Sequence, residues 1–285
     1  MTDQARPSRD TPMPAIEVYT QQHNSAFVAE MAARTAAKEA AFFLPHLRPG
    51  MQLLDVGCGP GSITLGLAGV VGPGVVVGID VDPTQVEQAR ALALERGVTN
   101  VRFEVADLYR LPFPDGSFDA AFAHTVIMGL REPVRALVEL RRVLRPDGMA
   151  GLRDPDLGTE IIAPTTPLLD QRRTLLLRVR EHNGGDPFAG RRLRGHLLAA
   201  HFARAEATAS VWSAGSLEET RRRVVWLKAQ LLGLARTGLG EGWIDQETLD
   251  AMSGALDAWA DRPDAYSAIT YVEAVGWVSE VTSCR

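Results

Sequence analysis

The stretch from Leu53 to Gly61 constrains the fold more than any other part of the sequence. It reads LLDVGCGPG, so a short apolar segment runs directly into three alternating glycines, and the residues that follow suit a helix. Glycine lets a chain turn tightly with positive φ and lets the backbone approach a bound molecule closely. The N–H groups at the start of the next helix attract negative charge. Glycine loops of this kind often have a purely structural role. A binding role for this loop therefore depends on the residues that accompany it.

Short apolar segments alternate with amphipathic ones after this loop. Strands are predicted at 52–56, 75–79, 101–105, 118–123 and 149–153, and helices at 62–71, 83–96 and 131–144, with a turn at 145–148. This alternation is typical of a parallel sheet that helices cover on both faces. Further helices are predicted at 16–47, 167–182, 189–202 and within 216–261, and further strands at 207–212 and 267–277.

Acidic residues follow the second and third predicted strands. Asp80 lies 23 residues after Gly57, where a carboxylate can accept hydrogen bonds from ribose hydroxyls. Asp107 follows the third strand and can accept from an adenine amino group. Helix capping or a solvated loop explains either residue alone. Because the carboxyl ends of parallel strands meet at one edge of the sheet, Asp55, Asp80 and Asp107 together predict a binding crevice there.

With these residues in place, the chain resembles the class I S-adenosylmethionine-dependent methyltransferases, in the subgroup related to the ubiquinone/menaquinone C-methyltransferases. The resemblance is carried by LLDVGCGPGSITLGLA (53–68), VVGIDVDPTQVEQAR (76–90), NVRFEVADLYRLPFPDGSFDAAFAH (100–124) and ALVELRRVLRPDGMAGLRD (136–154). Dinucleotide oxidoreductases carry Gly-x-Gly-x-x-Gly instead. The glycine spacing here, with Asp55 before it, favours S-adenosylmethionine over NAD.

The resemblance implies an α/β fold with a Rossmann-like, seven-stranded and mostly parallel sheet whose last strand is antiparallel. It implies S-adenosyl-L-methionine as the cofactor, with the glycine loop around its methionine part, Asp80 on the ribose and Val81 against the adenine. Arg34 is a candidate for the carboxylate of the donor. The expected cofactor-binding residues are Arg34, Asp55, Gly57, Cys58, Gly59, Gly61, Asp80, Val81, Asp107, Leu108 and His124.

The candidate catalytic residues follow the fourth and fifth predicted strands. His124 has a side chain suited to proton transfer near neutral pH, or it only lines the donor pocket. Asp154 is a second candidate base, and Asp156 a candidate for acceptor binding, unless both cap a helix or pair with an arginine. Tyr19 and His23, on the predicted N-terminal helix, are further candidates for acceptor binding, with packed or solvated side chains as the alternative.

Composition and charge exclude several classes of function. The net charge of −5 argues against nucleic-acid binding, which needs a positive surface. The Asn/Asp-Pro-Pro-aromatic tetrad of enzymes that methylate exocyclic base nitrogens is absent, because 123–126 read AHTV.

Two cysteines, Cys58 and Cys284, exclude a disulfide framework and a cysteine zinc site, and they fit a reducing, cytoplasmic setting. No metal site is expected. Glycines break the uncharged stretch 56–79, so no membrane span is predicted.

The predicted organisation has four parts: a disordered tail at 1–14, an N-terminal helical lid at 15–49, an S-adenosylmethionine-binding core at 50–157, and a remainder at 158–285. In the remainder, helical insertions are expected to form the substrate cap. The five tryptophans of the C-terminal half are expected in the core, with one or two lining an apolar pocket. The arginines of 172–173, 191–194 and 221–223 are expected on solvated helix faces, with a phosphate-bearing acceptor as the alternative.

The predicted function is methyl transfer to a small, largely apolar organic molecule, such as a secondary metabolite or a quinone-like compound. The alternative is a protein of the same fold that senses the ligand or catalyses a different reaction. The sequence does not specify whether carbon, oxygen or nitrogen is methylated. The helical C-terminal half also offers a surface for a homodimer.

Overall fold

One mixed sheet organises the protein, which is described by a computed structural model over residues 31–280. Its strands are β1 (Leu53–Val56), β2 (Val76–Asp80), β3 (Val101–Val105), β4 (Phe118–His124), β5 (Leu144–Ala163), β6 (Arg204–Ala214) and β7 (Tyr266–Trp277). In the part of the chain that is described, these seven strands lie in the order β3-β2-β1-β4-β5-β7-β6. Only β7 is antiparallel to its neighbours, which confirms the predicted Rossmann-like α/β fold.

Helices cover both faces of this sheet. They are α1 (Ala36–Glu39), α2 (Ser62–Val71), α3 (Pro83–Arg96), α4 (Pro133–Val143), α5 (Pro167–His182), α6 (Ala189–Ala199), α7 (Leu217–Gly240) and α8 (Gln246–Ala260). Short 3-10 helices lie at Leu44–His46 and Ile127–Gly129. The predicted start of α3 is confirmed, because the Thr84 N–H donates to Asp82 Oδ1 at 2.7 Å. Such a cap satisfies one of the backbone donors that a helix start leaves unpaired.

Alternate residues of each central strand enter different hydrophobic clusters. Leu54 and Ala121 pack with the apolar sides of α4 and α6, whereas Leu53 and Phe122 pack with Phe43 and α2. A third cluster joins α5, α7 and α8 to the ends of β5 and β7. We call these three helices the cap. Because the strands are buried on both faces, they read as continuous apolar runs in the sequence.

The predicted helix at 16–47 is wrong in its described part, and residues 16–30 lie outside that part. Thr35 is extended, with φ −131° and ψ 148°, so the chain bends there and only the short α1 follows. The bend lets Ala36, Ala40 and Phe43 pack against the sheet. This part of the predicted lid therefore belongs to the hydrophobic core.

The predicted bounds of β5 are also wrong, because this strand continues far beyond 153. The expected turn at 145–148 is a bulge between the pairs Phe118–Leu144 and Ala120–Met149. A second bulge separates the pairs Asp156–Thr270 and Ile161–Ala268. Antiparallel pairing with β7 holds β5 together across this irregularity, so the expected boundary at 157 falls inside a strand.

Within residues 31–280, no helix has both the length and the apolar character that crossing a membrane requires.

Candidate functional site

The glycine loop lies at the carboxyl end of β1, where the sheet order changes direction between β1 and β4. Gly57, Gly59 and Gly61 all have positive φ, at 65°, 52° and 86°. A Cβ on Gly57 would lie 2.5 Å from Val126 Cγ2. The loop therefore needs glycine for its backbone conformation as well as for space.

Replacing Gly61 by alanine is expected to destabilise the protein by about 1–3 kcal/mol, because overpacking adds to an unfavourable backbone angle. A Cβ there would lie 2.9 Å from Ala89 Cβ and 3.2 Å from Phe103 Cζ. The matched control is Gly69→Ala on the exposed side of α2, where a Cβ meets nothing within 4 Å. Urea denaturation should show the control gaining about 0.5–1 kcal/mol of stability. Equal effects of the two substitutions would contradict the assigned strain.

Asp80 and the glycine loop are joined by a direct hydrogen bond. The Gly59 N–H donates to Asp80 Oδ2 at 3.0 Å, and the Asp82 N–H donates to Oδ1 at 3.0 Å. Val81, the next residue, is 67% exposed, so it presents an apolar surface beside this carboxylate. The end of β2 thus offers a partly exposed hydrogen-bond acceptor next to an exposed apolar side chain, which suits a nucleoside.

Asp107 lies one strand further along the same edge of the sheet. Its Oδ1 accepts a hydrogen bond from the Tyr109 N–H at 2.9 Å, and the Ala106 N–H binds the Asp80 carbonyl at 3.0 Å. Leu108 lies in the hydrophobic core, so its side chain packs inward rather than towards the edge.

Asp55 is buried at the base of the site. Burial raises its pKa to about 7, opposed by a hydrogen bond from Thr64 Oγ1 at 2.6 Å and assisted by the nearby charge of Asp80. Cys58 is also buried, and burial raises the pKa of its thiol. A thiol in that state packs as a small apolar group and is no nucleophile.

The loop borders a cleft that reaches from Arg34 to His124. Its described lining residues are Met31, Arg34, Asp55, Gly57, Cys58, Gly59, Pro60, Ser62, Ile63 and His124. The half-buried Arg34 is a cation at the mouth of this cleft. The cleft therefore gathers most of the predicted residues of β1, the loop and β4 with the predicted arginine. Five predicted cofactor-binding residues are not among those that line it: Gly61, Asp80, Val81, Asp107 and Leu108.

His124, at the end of β4, is buried and faces other charged groups. Burial lowers the pKa of its imidazole well below the usual value, and the charges of Arg34 and Arg153 lower it further. Its Nε2 lies 3.3 Å from Thr125 Oγ1 and 3.8 Å from Glu39 Oε2. Its Nδ1 is buried with no hydrogen-bond partner among the described residues. The imidazole is therefore neutral at neutral pH.

Arg153 holds a buried polar network beside this histidine. Its Nη1 donates to Glu39 Oε2 at 2.6 Å and its Nε to Glu273 Oε1 at 3.1 Å. Its guanidinium carbon lies 3.9 Å from the ring centre of Tyr271, whose ring centre is 6.0 Å from that of His124. Residues from α1, β5 and β7 thus fix the wall next to the imidazole.

Asp154 and Asp156 lie outside the cleft. Asp154 is fully buried, and its Oδ1 accepts from the Met128 N–H at 3.3 Å, so it anchors the turn after β4. Asp156 pairs with Arg191, whose Nη2 donates to Oδ1 at 2.8 Å. Neither lines the cleft described above. Tyr19 and His23 lie outside the described residues.

Sequence reasoning missed three features of the structure. Arg172 and Arg223 are buried, so the expectation of solvated faces is wrong for these two arginines. Their spacing from Leu169 and Leu227 places them on the apolar side of their helices, which is a signal that periodicity could have supplied. Thr125 has a φ of 61°, a conformation uncommon for a β-branched residue. Nothing in the sequence indicates that conformation.

The sheet, the glycine loop and the carboxylates at successive strand ends define a class I S-adenosylmethionine-binding protein. A methyltransferase domain model matches residues 47–180. An uncharacterized methyltransferase of Schizosaccharomyces pombe is 34% identical over 220 residues, which are 74% of this chain and 78% of that protein. The chain belongs to the S-adenosylmethionine-dependent methyltransferase family, and it is an enzyme of that class.

Other similarities cover smaller parts of the relatives. The nocamycin O-methyltransferase of Saccharothrix syringae is 41% identical over 109 residues, or 38% of this chain and 39% of that protein. The ubiquinone/menaquinone C-methyltransferase of Ectopseudomonas mendocina is 38% identical over 131 residues, or 44% and 48%. The match thus spans less than half of either enzyme.

A solved structure supports the fold. The YcgJ protein of Bacillus subtilis superposes with a TM-score of 0.57 at 21% identity, covering 85% of this chain and 98% of that one. At 21% sequence identity, this similarity shows only that the two proteins share a fold.

Proposed function

We propose that this methyltransferase acts on a small, largely apolar organic molecule, of the kind found among secondary metabolites or quinones. The observation that carries the proposal is the half-buried aromatic surface beside His124. Tyr271 lies next to the imidazole, and the half-buried Trp212 and Trp226 continue the same hydrophobic cluster under the cap. Aromatic side chains that lie beside a few polar groups are typical of small-molecule sites.

The described residues suit S-adenosylmethionine. Asp80 would accept hydrogen bonds from the ribose, Val81 would contact the adenine, and Asp107 would lie at the adenine edge. The glycine loop would border the methionine part, and Arg34 would meet the carboxylate of the donor. Two observations support this arrangement: the positive φ angles of the loop glycines and the lining of the cleft between Arg34 and His124.

S-adenosylmethionine supplies a methyl group that its sulfonium already activates, so the protein mainly has to position the acceptor atom in line with it. His124 lines the cleft and its imidazole is neutral, so it would accept a proton there from an acceptor hydroxyl. The ion pair between Arg153 and Glu39 would hold the wall around the imidazole and exclude water.

The names of two relatives support a small-molecule acceptor. One relative is an O-methyltransferase named for nocamycin and the other a C-methyltransferase of quinone biosynthesis. Because the match covers less than half of each, the acceptor itself is not transferred from either protein.

Asp80→Ala is expected to weaken binding of S-adenosylmethionine by about 10- to 100-fold, because charge-assisted hydrogen bonds contribute about 1.5–3 kcal/mol. Isothermal titration calorimetry measures the dissociation constants of wild type and variant. The control is Asp264→Ala, which removes an exposed carboxylate paired with Arg262.

Two outcomes of this titration would count against the proposal. No heat of binding with the wild type would contradict the function. Equal affinities of the wild type and Asp80→Ala would contradict only the ribose assignment.

A further inference from the structure

A second cavity lies apart from the cleft at the glycine loop. Its volume is about 480 Å³, and the two share no lining residue. Its walls include Arg173 and Leu177 of α5, Gly158 in the second bulge of β5, and Phe188 and Arg191 at the start of α6. The volume falls in the range of cavities that bind small organic molecules, about 300–1,000 Å³.

Packing between α5, β5 and α6 builds this cavity. Its lining residues on α5 run from Asp170 to Leu177 at spacings that place them on one face of the helix. A Cβ on Gly158 would lie 2.8 Å from Arg191 Nη2 and 2.9 Å from Phe188 Cε1. Glycine at this position therefore lets the start of α6 pack directly against β5.

Arg173 supplies a cation that has no acidic partner in the part of the chain that is described. Its Nη2 donates to the Gly158 carbonyl at 2.7 Å, and this is the single hydrogen bond of its guanidinium among residues 31–280. Its Nε is buried there with no hydrogen-bond partner. Because a guanidinium stays charged at physiological pH, the half-buried Arg173 has N–H donors left for an anion.

The other charged groups of the cavity decide how much negative charge a ligand can carry. Arg191 is neutralised by Asp156, to which both its Nε and its Nη2 donate. Asp170 is exposed, and it accepts a hydrogen bond from Thr165 Oγ1 at 2.7 Å, so solvent screens its charge. One cation remains for the ligand, which suits a carboxylate better than a phosphate group with its charge of about −1.5 to −2.

We propose that this cavity is a second ligand site, and that it takes a small organic carboxylate with an apolar body. The carboxylate meets the guanidinium of Arg173, whose parallel N–H donors match two carboxylate oxygens. The apolar body contacts Leu177 and Phe188. The inference goes beyond the proposed function and does not depend on it, because none of these residues borders the donor cleft.

The probes are 2-naphthoate and its uncharged amide, which share a fused ring and differ in the carboxylate. Titration calorimetry uses the full chain with excess S-adenosylhomocysteine, so that Arg34 in the donor cleft does not compete for the acid. The acid is expected to bind about 10-fold or more tightly than the amide, in line with a charge-assisted hydrogen bond. Arg173→Met is expected to bring the acid to the affinity of the amide.

The matched control is Arg178→Met, which removes an exposed arginine of α5 that does not line the cavity. This variant should retain the preference for the acid. Asp170→Asn removes the acidic group of the lining and should tighten binding of the acid about two- to fivefold without changing that of the amide. Arg173→Lys, which keeps the charge and loses the planar fork, gives a second test if the methionine variant unfolds, and it should retain only part of the preference.

Three outcomes would overturn the inference. The first is a wild type that treats acid and amide alike or binds neither, and the second is an unchanged preference in a folded Arg173→Met variant. The third is an acid that binds without S-adenosylhomocysteine and is displaced by it, which would place the acid in the donor cleft. A chain that fails to bind S-adenosylhomocysteine contradicts the proposed function instead, and the titration of the acid then tests this inference on its own.

Discussion

Arg172→Met is expected to lower the free energy of unfolding by about 3–5 kcal/mol, the usual cost of breaking a buried ion pair. Arg172 is fully buried, and its guanidinium donates to Gln230 Oε1 at 2.7 Å and to the carboxylate of Glu160. Without Arg172, the 6% exposed Glu160 loses its hydrogen-bonded partner in a poorly solvated place, and only the more distant Arg223, with its Nη2 at 3.9 Å, still offsets its charge. Urea denaturation followed by circular dichroism measures the loss.

The control for this prediction is the exposed Arg178→Met on the same helix, which loses only an exposed stacking contact with Trp243 and should change stability by less than about 1 kcal/mol. Adding Glu160→Gln to Arg172→Met should recover part of the loss, because a neutral amide costs less to bury than a charge. A loss below about 1 kcal/mol in the single variant would mean that Glu160 reaches water and that the pair is not a buried one.

The part of the fold from β1 to β4 was predictable because its sequence signals are local. Strands β1, β2 and β4 are short, mostly apolar runs, and the glycine loop and the Asp82 cap are recognisable within a few residues. The parallel pairing then places Asp55 and Asp80 at one edge of the sheet, as the order of strands shows. Local patterns sufficed because the position of each of these residues is set by the strand that it belongs to or follows.

The part of the fold from β5 onwards depends on long-range pairing, which no short pattern reveals. The extension of β5 to Ala163 is held by β7, which lies more than a hundred residues later in the chain. Glu39, Arg153 and Glu273 meet only because α1, β5 and β7 converge. The bend at Thr35 likewise follows from packing against the sheet, since an alanine-rich segment by itself favours a continuous helix.

Asp154→Asn is expected to make the protein less sensitive to pH between about pH 5 and about pH 8. Burial raises the pKa of Asp154 to about 7, although hydrogen bonds from the turn after β4 and the charges of Arg180 and Arg153 oppose the rise. In the unfolded chain the carboxyl has its usual pKa of 3.8. The folded protein therefore holds the proton more tightly, so its stability falls as pH rises through this window and the penalty is complete above the folded pKa.

One pKa unit corresponds to about 1.4 kcal/mol, so the whole shift amounts to about 4 kcal/mol, of which about 3 kcal/mol falls between about pH 5 and about pH 8 because the unfolded carboxyl is already ionised at about pH 5. Urea denaturation of both proteins at the two pH values measures the difference. The burial of Asp55 raises its pKa to about 7 as well, but that carboxyl is present in both proteins and cancels in the comparison. Asp250→Asn, an exposed carboxylate on α8, is the control and should keep the slope of the wild type. Parallel stability curves for wild type and Asp154→Asn would mean that this carboxyl is solvated, and the anchoring of the turn after β4 by a buried acid would then have to be abandoned.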